Sequence, residues 1–439
     1  MIDIETVTMT DYRPFRAHHY NPSKINLSQV IAPPYDVISV QEQEDLYEQS
    51  PYNVVRLILN KEKPDDSDQD NRYTRARNFF SDWCHEQILL REEKPCFFLY
   101  RQIFRRPETG EKLSRFSLLG ILKLEPFEKG IVVAHEQTLA RPKADRRRLL
   151  ETTQTNFSPV FGLYEDESEK LPPLFSEILK AKPNFYAVEG DTVHEVWKIS
   201  EDSSLHEIQE FISGKNIYIA DGHHRYQTAL DYAREMHRKE GVPEARLQPY
   251  DFVLMALVRF EDEGLVLLPT HRAVKPFSGF DPKKLLESLK PFFKVEAVPG
   301  SFLQKGTRYL QGLTSFDLVL KDDGYHLTLE HPEKVKALMP PGKPEIWYSL
   351  DVNLLAYLIF HKLMDLAPEA WETQLRFTHS EQEVLEWVKR GEVAAAFLLR
   401  APQVKILKQM GEVKELMPQK STYFYPKLAS GLVFYHHQE

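Results

Sequence analysis

Cysteine is scarce, with only Cys84 and Cys96 among 439 residues. Two thiols give no disulfide framework, and without a second pair they cannot close a cysteine cage around a metal. A reducing cytoplasm is the expected compartment. Positive charge is not in excess either: 56 Lys and Arg stand against 65 Asp and Glu, a formal net charge of −9. That balance offers no global basic field for nucleic acid, although a local cluster remains at Arg146-Arg147-Arg148. Long apolar runs are missing, so no membrane span is expected. The opening MIDIETVTMTDYRPFRAHHY has acidic and polar residues where a signal peptide needs an apolar stretch, so export is not expected. A phosphate-binding Gly-x-x-x-x-Gly-Lys is absent as well. Lys420-Ser421-Thr422 resembles its end, but only Gly411 lies upstream and its spacing is wrong.

What is present is core material, 42% hydrophobic and 12% aromatic, enough for two domains. Strand-like and helix-like stretches alternate without a repeat, which predicts a mixed α+β fold. Gln41 to Gln49 reads as a polar helix, NVVRLIL as a strand, and Arg75 to Leu90 as a helix with Phe79, Phe80, Trp83 and Ile88 on its apolar side. Cys96 to Phe104 and Phe116 to Leu124 read as paired strands. The Pro, Gly and Ser content of KPFSGFDPKK marks a connector. It divides the chain into residues 1–275 and a C-terminal α+β region, 276–439. That region holds an apparent hairpin (FDLVLKDDGYHLTLE), helices near Leu350 to Met364 and Ser380 to Lys389, and the strand VAAAFLLR.

The stretch NIYIADGHHRYQTALDYAREMHR carries the most chemistry. Ile217, Tyr218 and Ile219 make a buried strand, and Tyr226, Ala229, Leu230, Ala233 and Met236 then recur at helical spacing. Asp221 is the expected N-cap, which puts His223, His224 and Arg225 in the first turn. Cations are disfavoured at that positive helix end unless an anion sits there too, and phosphate is the natural anion.

Five other stretches hold reactive groups. In APPYDVIS the prolines stiffen a turn that projects Tyr35 and Asp36, and alone it reads as a turn whose Asp36 caps the next element. His135 and Glu136 follow the apolar GIVVA, at a strand end where site residues tend to project. The charges after them, Lys143, Asp145 and Arg146, read as a solvated helix face. Thr270, His271 and Arg272 follow Leu265 to Leu268 in the same manner, and by themselves read as a structural His-Arg pair. MPQKSTYFYPK contributes Lys420, Ser421, Thr422 and Lys427. YRPFRAHH carries two histidines that read as ordinary surface.

IAPPYDVIS, HEQT, DGHHRYQTAL, LLPTHR and MPQKSTYFYPK, in that order, resemble a widespread bacterial and archaeal family of conserved proteins of unknown function. ADGHHRY also resembles the phosphate-binding strand-to-helix turn of the ParB and sulfiredoxin superfamily, which includes the archaeal ADP-dependent free serine kinase. Sulfiredoxin has a reacting cysteine where this chain has His223. ParB binds CTP phosphates through a turn that matches Gly222, His224 and Arg225. The resemblance implies a ParB/sulfiredoxin-like nucleotide-binding core with large insertions, and the serine kinase motif is nearest in chemistry.

Phosphoryl transfer needs donors and cations around the phosphates and a carboxylate to hold Mg²⁺ or orient the acceptor. Gly222, His223, His224 and Arg225 are the expected phosphate binders. Asp221 is the expected Mg²⁺ ligand or proton acceptor, and Asp36 or Glu136 the second carboxylate. His135, His271, Arg272, Lys420 and Ser421 are further candidates for the same pocket. The expected function is an ADP- or ATP-dependent kinase of a small hydroxylated metabolite such as free serine, with no nucleic-acid or membrane partner. Two alternatives remain at this stage. One is a metal-dependent hydrolase using Asp221, His223, His224, His135 and His271 as ligands. The other is a nucleotide switch without metabolite chemistry. Acceptor, nucleotide and oligomeric state stay open.

Overall fold

Apolar side chains line Phe97–Arg105 and Lys112–Lys123, and the two strands pair antiparallel from Phe98 opposite Leu119 to Arg105 opposite Lys112. They sit in a mixed sheet of the computed structural model, which describes residues 9–136, 140–298, 314–321 and 323–438. The start of the N-terminal stretch and Gln137-Thr138 of HEQT lie outside the described residues. The sheet runs in the order Val132–Val133, Ile217–Asp221, Val160–Tyr164, Phe252–Arg259, Lys112–Lys123, Phe97–Arg105, Thr192–Ile199, Phe185–Glu189, with Tyr12–Arg13 added beside Lys112–Lys123. Val132–Val133 runs parallel to Ile217–Asp221, and Val160–Tyr164 parallel to Phe252–Arg259. One face buries Tyr226, Ala229, Leu230 and Ala233 of helix His223–Glu240, a spacing that puts all four on one side of a helix. That helix ends at Gly241, which adopts φ 66° and donates its N–H to the His237 carbonyl.

The chain divides into two units. The first comprises Met1–Ala134, Thr138–Val266 and Pro426–Glu439, the second His135–Gln137 and Leu267–Tyr425. Residue 275 therefore falls inside the second unit. Pairing explains this: His271–Val274 lies between Leu375–Thr378 and Ala395–Leu398, antiparallel to both, and cannot leave that sheet. The second sheet runs Phe293–Val298, Gly324–Leu329, Ser315–Val319, Ala395–Leu398, His271–Val274, Leu375–Thr378. Helix Glu381–Lys389, capped by Ser380, packs Val384, Trp387 and Val388 on Ala273, Val319, Ala396 and Leu398.

The fold is mixed α and β, as expected, with local corrections. NVVRLIL contains a short helix, Val55–Ile58, rather than a strand, because the Asn53 side chain accepts the Val55 N–H at 2.9 Å and starts a turn. Ser39, not Asp36, caps the first long helix, Val40–Gln49, in a capping box with Glu42. The two N-terminal histidines are not surface: His18 and His19 are buried in a strand paired with Leu89–Arg91. The helix after Leu350 forms as Asp351–Asn353 continued by a π-helical stretch, Leu354–Leu363.

Candidate functional site

Strand Ile217–Asp221 slips register against Val160–Tyr164 between Ile219 and Asp221, and such bulges re-aim the residue that follows. The chain then turns at Gly222, whose φ of 89° is left-handed. A side chain there would be strained, and its Cβ would stand 3.0 Å from the Arg225 guanidinium carbon. Because the bulge keeps Asp221 in the strand, the N-cap is Gly222 and Asp221 does not cap the helix, contrary to the expectation. Its carboxylate faces two cations instead. Arg225 Nη2 donates to Oδ2 at 3.0 Å and Lys427 Nζ to Oδ1 at 2.7 Å. Arg225 Nη1 also donates to the Pro159 carbonyl. His223, His224 and Arg225 do occupy the first helical turn, with His223 buried and the other two partly exposed.

Beside Arg225 lies a cavity of about 60 Å³ lined by Tyr35, Arg146, Phe157, Ser158 and Thr228, among others. Arg146 is no part of a solvated face, being only 8% exposed. Its guanidinium lies 3.7 Å from the centre of the Tyr35 ring, a cation–π contact, and Nη1 donates to the Ile58 carbonyl at 2.8 Å. Asp145 accepts from Arg146 Nε at 2.7 Å and from the Tyr73 hydroxyl at 2.8 Å. Burial pushes the Asp145 carboxyl up, but Arg146, Tyr73 and Arg72 outweigh it and hold it below the usual range. Thr228 is 3% exposed and its hydroxyl has no hydrogen-bond partner among the described residues. A buried hydroxyl on a cavity wall gains a bond once the cavity is filled by a polar group. Asp36, next in chain to Tyr35, is exposed in its turn.

The second unit gathers the other motifs. Glu136 accepts the backbone N–H of Lys420 at 2.8 Å and of Ser421 at 3.1 Å, using both carboxylate oxygens to hold that loop. His135 Nε2 meets the Thr422 hydroxyl at 3.1 Å. Lys420 takes a left-handed backbone, φ 57°, and its carbonyl accepts from Arg272 Nη2 at 3.3 Å. Ser421 Oγ donates to the Pro418 carbonyl at 2.6 Å. His271 and Arg272 do not project from a strand end. They lie within strand His271–Val274, fully or nearly fully buried. Burial pushes the Arg272 guanidinium down to about 10 against the opposing pull of Asp351 and Glu136. His271 Nδ1 accepts the Leu399 N–H at 3.1 Å, which leaves Nε2 as the protonated nitrogen, and that atom has no hydrogen-bond partner among the described residues.

The sequence-predicted residues thus form two sets, Asp36 and Asp221 to Arg225 in the first unit and His135, Glu136, His271, Arg272, Lys420 and Ser421 in the second. Tyr35, Arg146, Ser158 and Thr228 were not selected from sequence. Tyr35 and Thr228 sit inside quoted motifs and Arg146 in the Arg146-Arg147-Arg148 cluster, whereas Ser158 carried no signal. Among the described residues, no group of three or more His, Cys, Asp or Glu side chains is placed to hold a metal ion. Each Asp221 oxygen already accepts from a cation, so a Mg²⁺ ion there would compete with Arg225 and Lys427.

A bulged strand, a left-handed glycine and a helix start bearing His-His-Arg mark the turn of a mixed α and β protein. The chain belongs to the family described as "Protein of unknown function (DUF1015)", matched over residues 12–353. This agrees with the family resemblance of the motifs. Comparison with curated proteins gives no match. Among solved structures, the chain is similar to a conserved hypothetical protein from Pyrococcus furiosus, with 16% identity, a TM-score of 0.33, and coverage of 69% of this chain and 92% of that one. It is also similar to a free serine kinase in complex with AMP, with 15% identity, a TM-score of 0.33, and coverage of 69% and 88%. SbnI from Staphylococcus aureus, truncated at its C-terminus, gives 9% identity, a TM-score of 0.33, and coverage of 71% and 85%. No helix among the described residues is long and apolar enough to cross a membrane.

Proposed function

We propose that the first unit binds a nucleotide with its phosphates at the start of helix His223–Glu240, and that the protein transfers a phosphoryl group to a small hydroxylated metabolite. One observation carries this reading: the Gly222 helix start and the cavity under Tyr35 and Arg146 share Arg225. Helix-start N–H groups and guanidinium groups suit phosphate oxygens, and the aromatic wall and the Thr228 hydroxyl suit part of a base or ribose. A cavity of about 60 Å³ takes only part of a nucleotide, so the remainder lies along its mouth.

In the proposed reaction the terminal P–O bond of the nucleotide breaks, the acceptor oxygen bonds to phosphorus, and the acceptor proton passes to a carboxylate. Exposed Asp36 is assigned that role. Asp221 is assigned the positioning of Arg225 and Lys427, and Glu136 the holding of the Lys420 loop. Magnesium, arriving with the nucleotide, would neutralise phosphate charge. Free serine is the first acceptor to test, on the strength of the ADGHHRY resemblance.

Isothermal titration with AMP, ADP, ATP and CTP, with and without Mg²⁺, tests binding. Phosphorus NMR with serine and other hydroxylated metabolites tests transfer. Absence of binding by every nucleotide refutes the whole reading. Binding without any phosphorylated product favours a nucleotide switch over a kinase.

A further inference from the structure

The second unit contains a cavity of about 210 Å³ that none of the sequence motifs reaches. Its walls include Ser349, Asp351, Arg400, Gln403, Lys405 and Gln409. Two cations face one carboxylate there. Asp351 accepts the Val352 N–H at 2.8 Å, and burial pushes its carboxyl up against the opposing pull of Arg272 and Arg400. Lys405 is exposed and has no ion-pair partner among the described residues. It occupies the first turn of helix Lys405–Glu412, whose start has no side-chain cap and no acidic residue. A lone cation at the positive end of a helix is locally unfavourable, and an anion in the adjoining cavity removes the conflict.

We propose that this cavity binds a small metabolite carrying an oxyanion, carboxylate or phosphate, beside a hydroxyl group. The oxyanion meets Lys405, Arg400 and the helix start, and the hydroxyl donates to Asp351. Carboxylate and phosphate share this chemistry, and the site is independent of the nucleotide site.

The test uses the full chain, with thermal shift and isothermal titration against L-malate, succinate, glycerol 3-phosphate and inorganic phosphate, and 1,4-diaminobutane as a cationic control. Malate or glycerol 3-phosphate should bind and raise the Tm, and the preferred one identifies the oxyanion. Lys405→Gln and Arg400→Gln should each weaken binding by about tenfold or more, equivalent to ~1.4 kcal/mol. Asp351→Asn should weaken malate binding more than succinate binding. Lys405→Gln, on an exposed side chain, keeps the test valid if Arg400→Gln does not fold. The proposal is overturned if no anion binds at millimolar concentration, if diaminobutane binds equally well, or if Lys405→Gln leaves affinity unchanged.

Discussion

Lys427 Nζ lies 2.7 Å from Asp221 Oδ1, although 206 positions separate the two residues. The segment Pro426–Glu439 returns to the first unit and delivers an ammonium to the carboxylate that Arg225 already touches. The position of Lys427 is itself fixed, since Gln102 donates to its carbonyl at 2.9 Å and buried Arg115 donates to Gln102 and to the Pro426 carbonyl. Asp221 therefore stands as an anchor between two cations. Asp221→Asn and Lys427→Met should each lower stability by about 1–3 kcal/mol, with the double mutant less destabilised than the sum. A double-mutant cycle by urea denaturation measures this, and strictly additive losses would remove the anchor.

Gly222→Ala places a Cβ where φ is 89° and where the Arg225 guanidinium is 3.0 Å away. The backbone strain alone costs about 1–2 kcal/mol, and Arg225 must shift to relieve the contact. The variant should melt at lower temperature and lose nucleotide affinity even in conditions where it is fully folded. Titration well below its Tm separates the two effects, and wild-type affinity there would show that the turn has no part in binding.

Arg225→Ala should weaken nucleotide binding by about 1.5–3 kcal/mol, the scale of a charge-assisted hydrogen bond. A cation at a helix start is by itself unfavourable, but Arg225 bonds to Asp221 and to the Pro159 carbonyl, so the apo protein should also lose stability. Comparing Tm shifts for the apo and nucleotide-bound forms checks both halves.

Local features of the fold were legible because they depend on neighbours in sequence. The change of period at Asp221 located the strand-to-helix turn, and the apolar runs Cys96 to Phe104 and Phe116 to Leu124 located two strands that pair. Long-range features were not. A slipped register decided that Asp221 would not cap, and only the return of Pro426–Glu439 brought Lys427 to it. Arg146 resembled a surface charge until tertiary packing laid it on Tyr35. The short apolar run around Val55 was ambiguous between strand and helix, and the Asn53 side chain settled it.

Buried histidines should make the protein acid-sensitive, with burial and His436 pushing His18 down to about 3. Burial, and then His379 and Arg272, push His271 down to about 4. Burial and Arg115 push His194 to about 4, and burial and His436 push His437 to about 3. Between these values and the unfolded value of 6.5, the unfolded chain binds more protons, so stability rises with pH. The stability of the neutral rings is complete above about pH 6.5 and is lost as pH falls through 4. The His271 shift corresponds to something on the order of 3 kcal/mol. Denaturation curves from pH 4.5 to 7.5 should show the decline, and His271→Gln, which keeps an acceptor for the Leu399 N–H, should flatten it.

Arg146 and Tyr35 supply the last prediction, because their contact ties two distant motifs to the cavity wall. Arg146→Lys keeps the charge but loses the planar group that stacks on Tyr35 and the fork that reaches the Ile58 carbonyl and Asp145. It should therefore behave like Arg146→Ala, lowering nucleotide affinity by about tenfold. Tyr35→Phe keeps the ring face and should retain most of the binding, whereas Tyr35→Ala should not. If Arg146→Lys binds as wild type while Arg146→Ala fails, the residue acts as a bare charge and the stacked geometry is irrelevant to the ligand. Titration of these four variants with one nucleotide distinguishes a shaped wall from an electrostatic one.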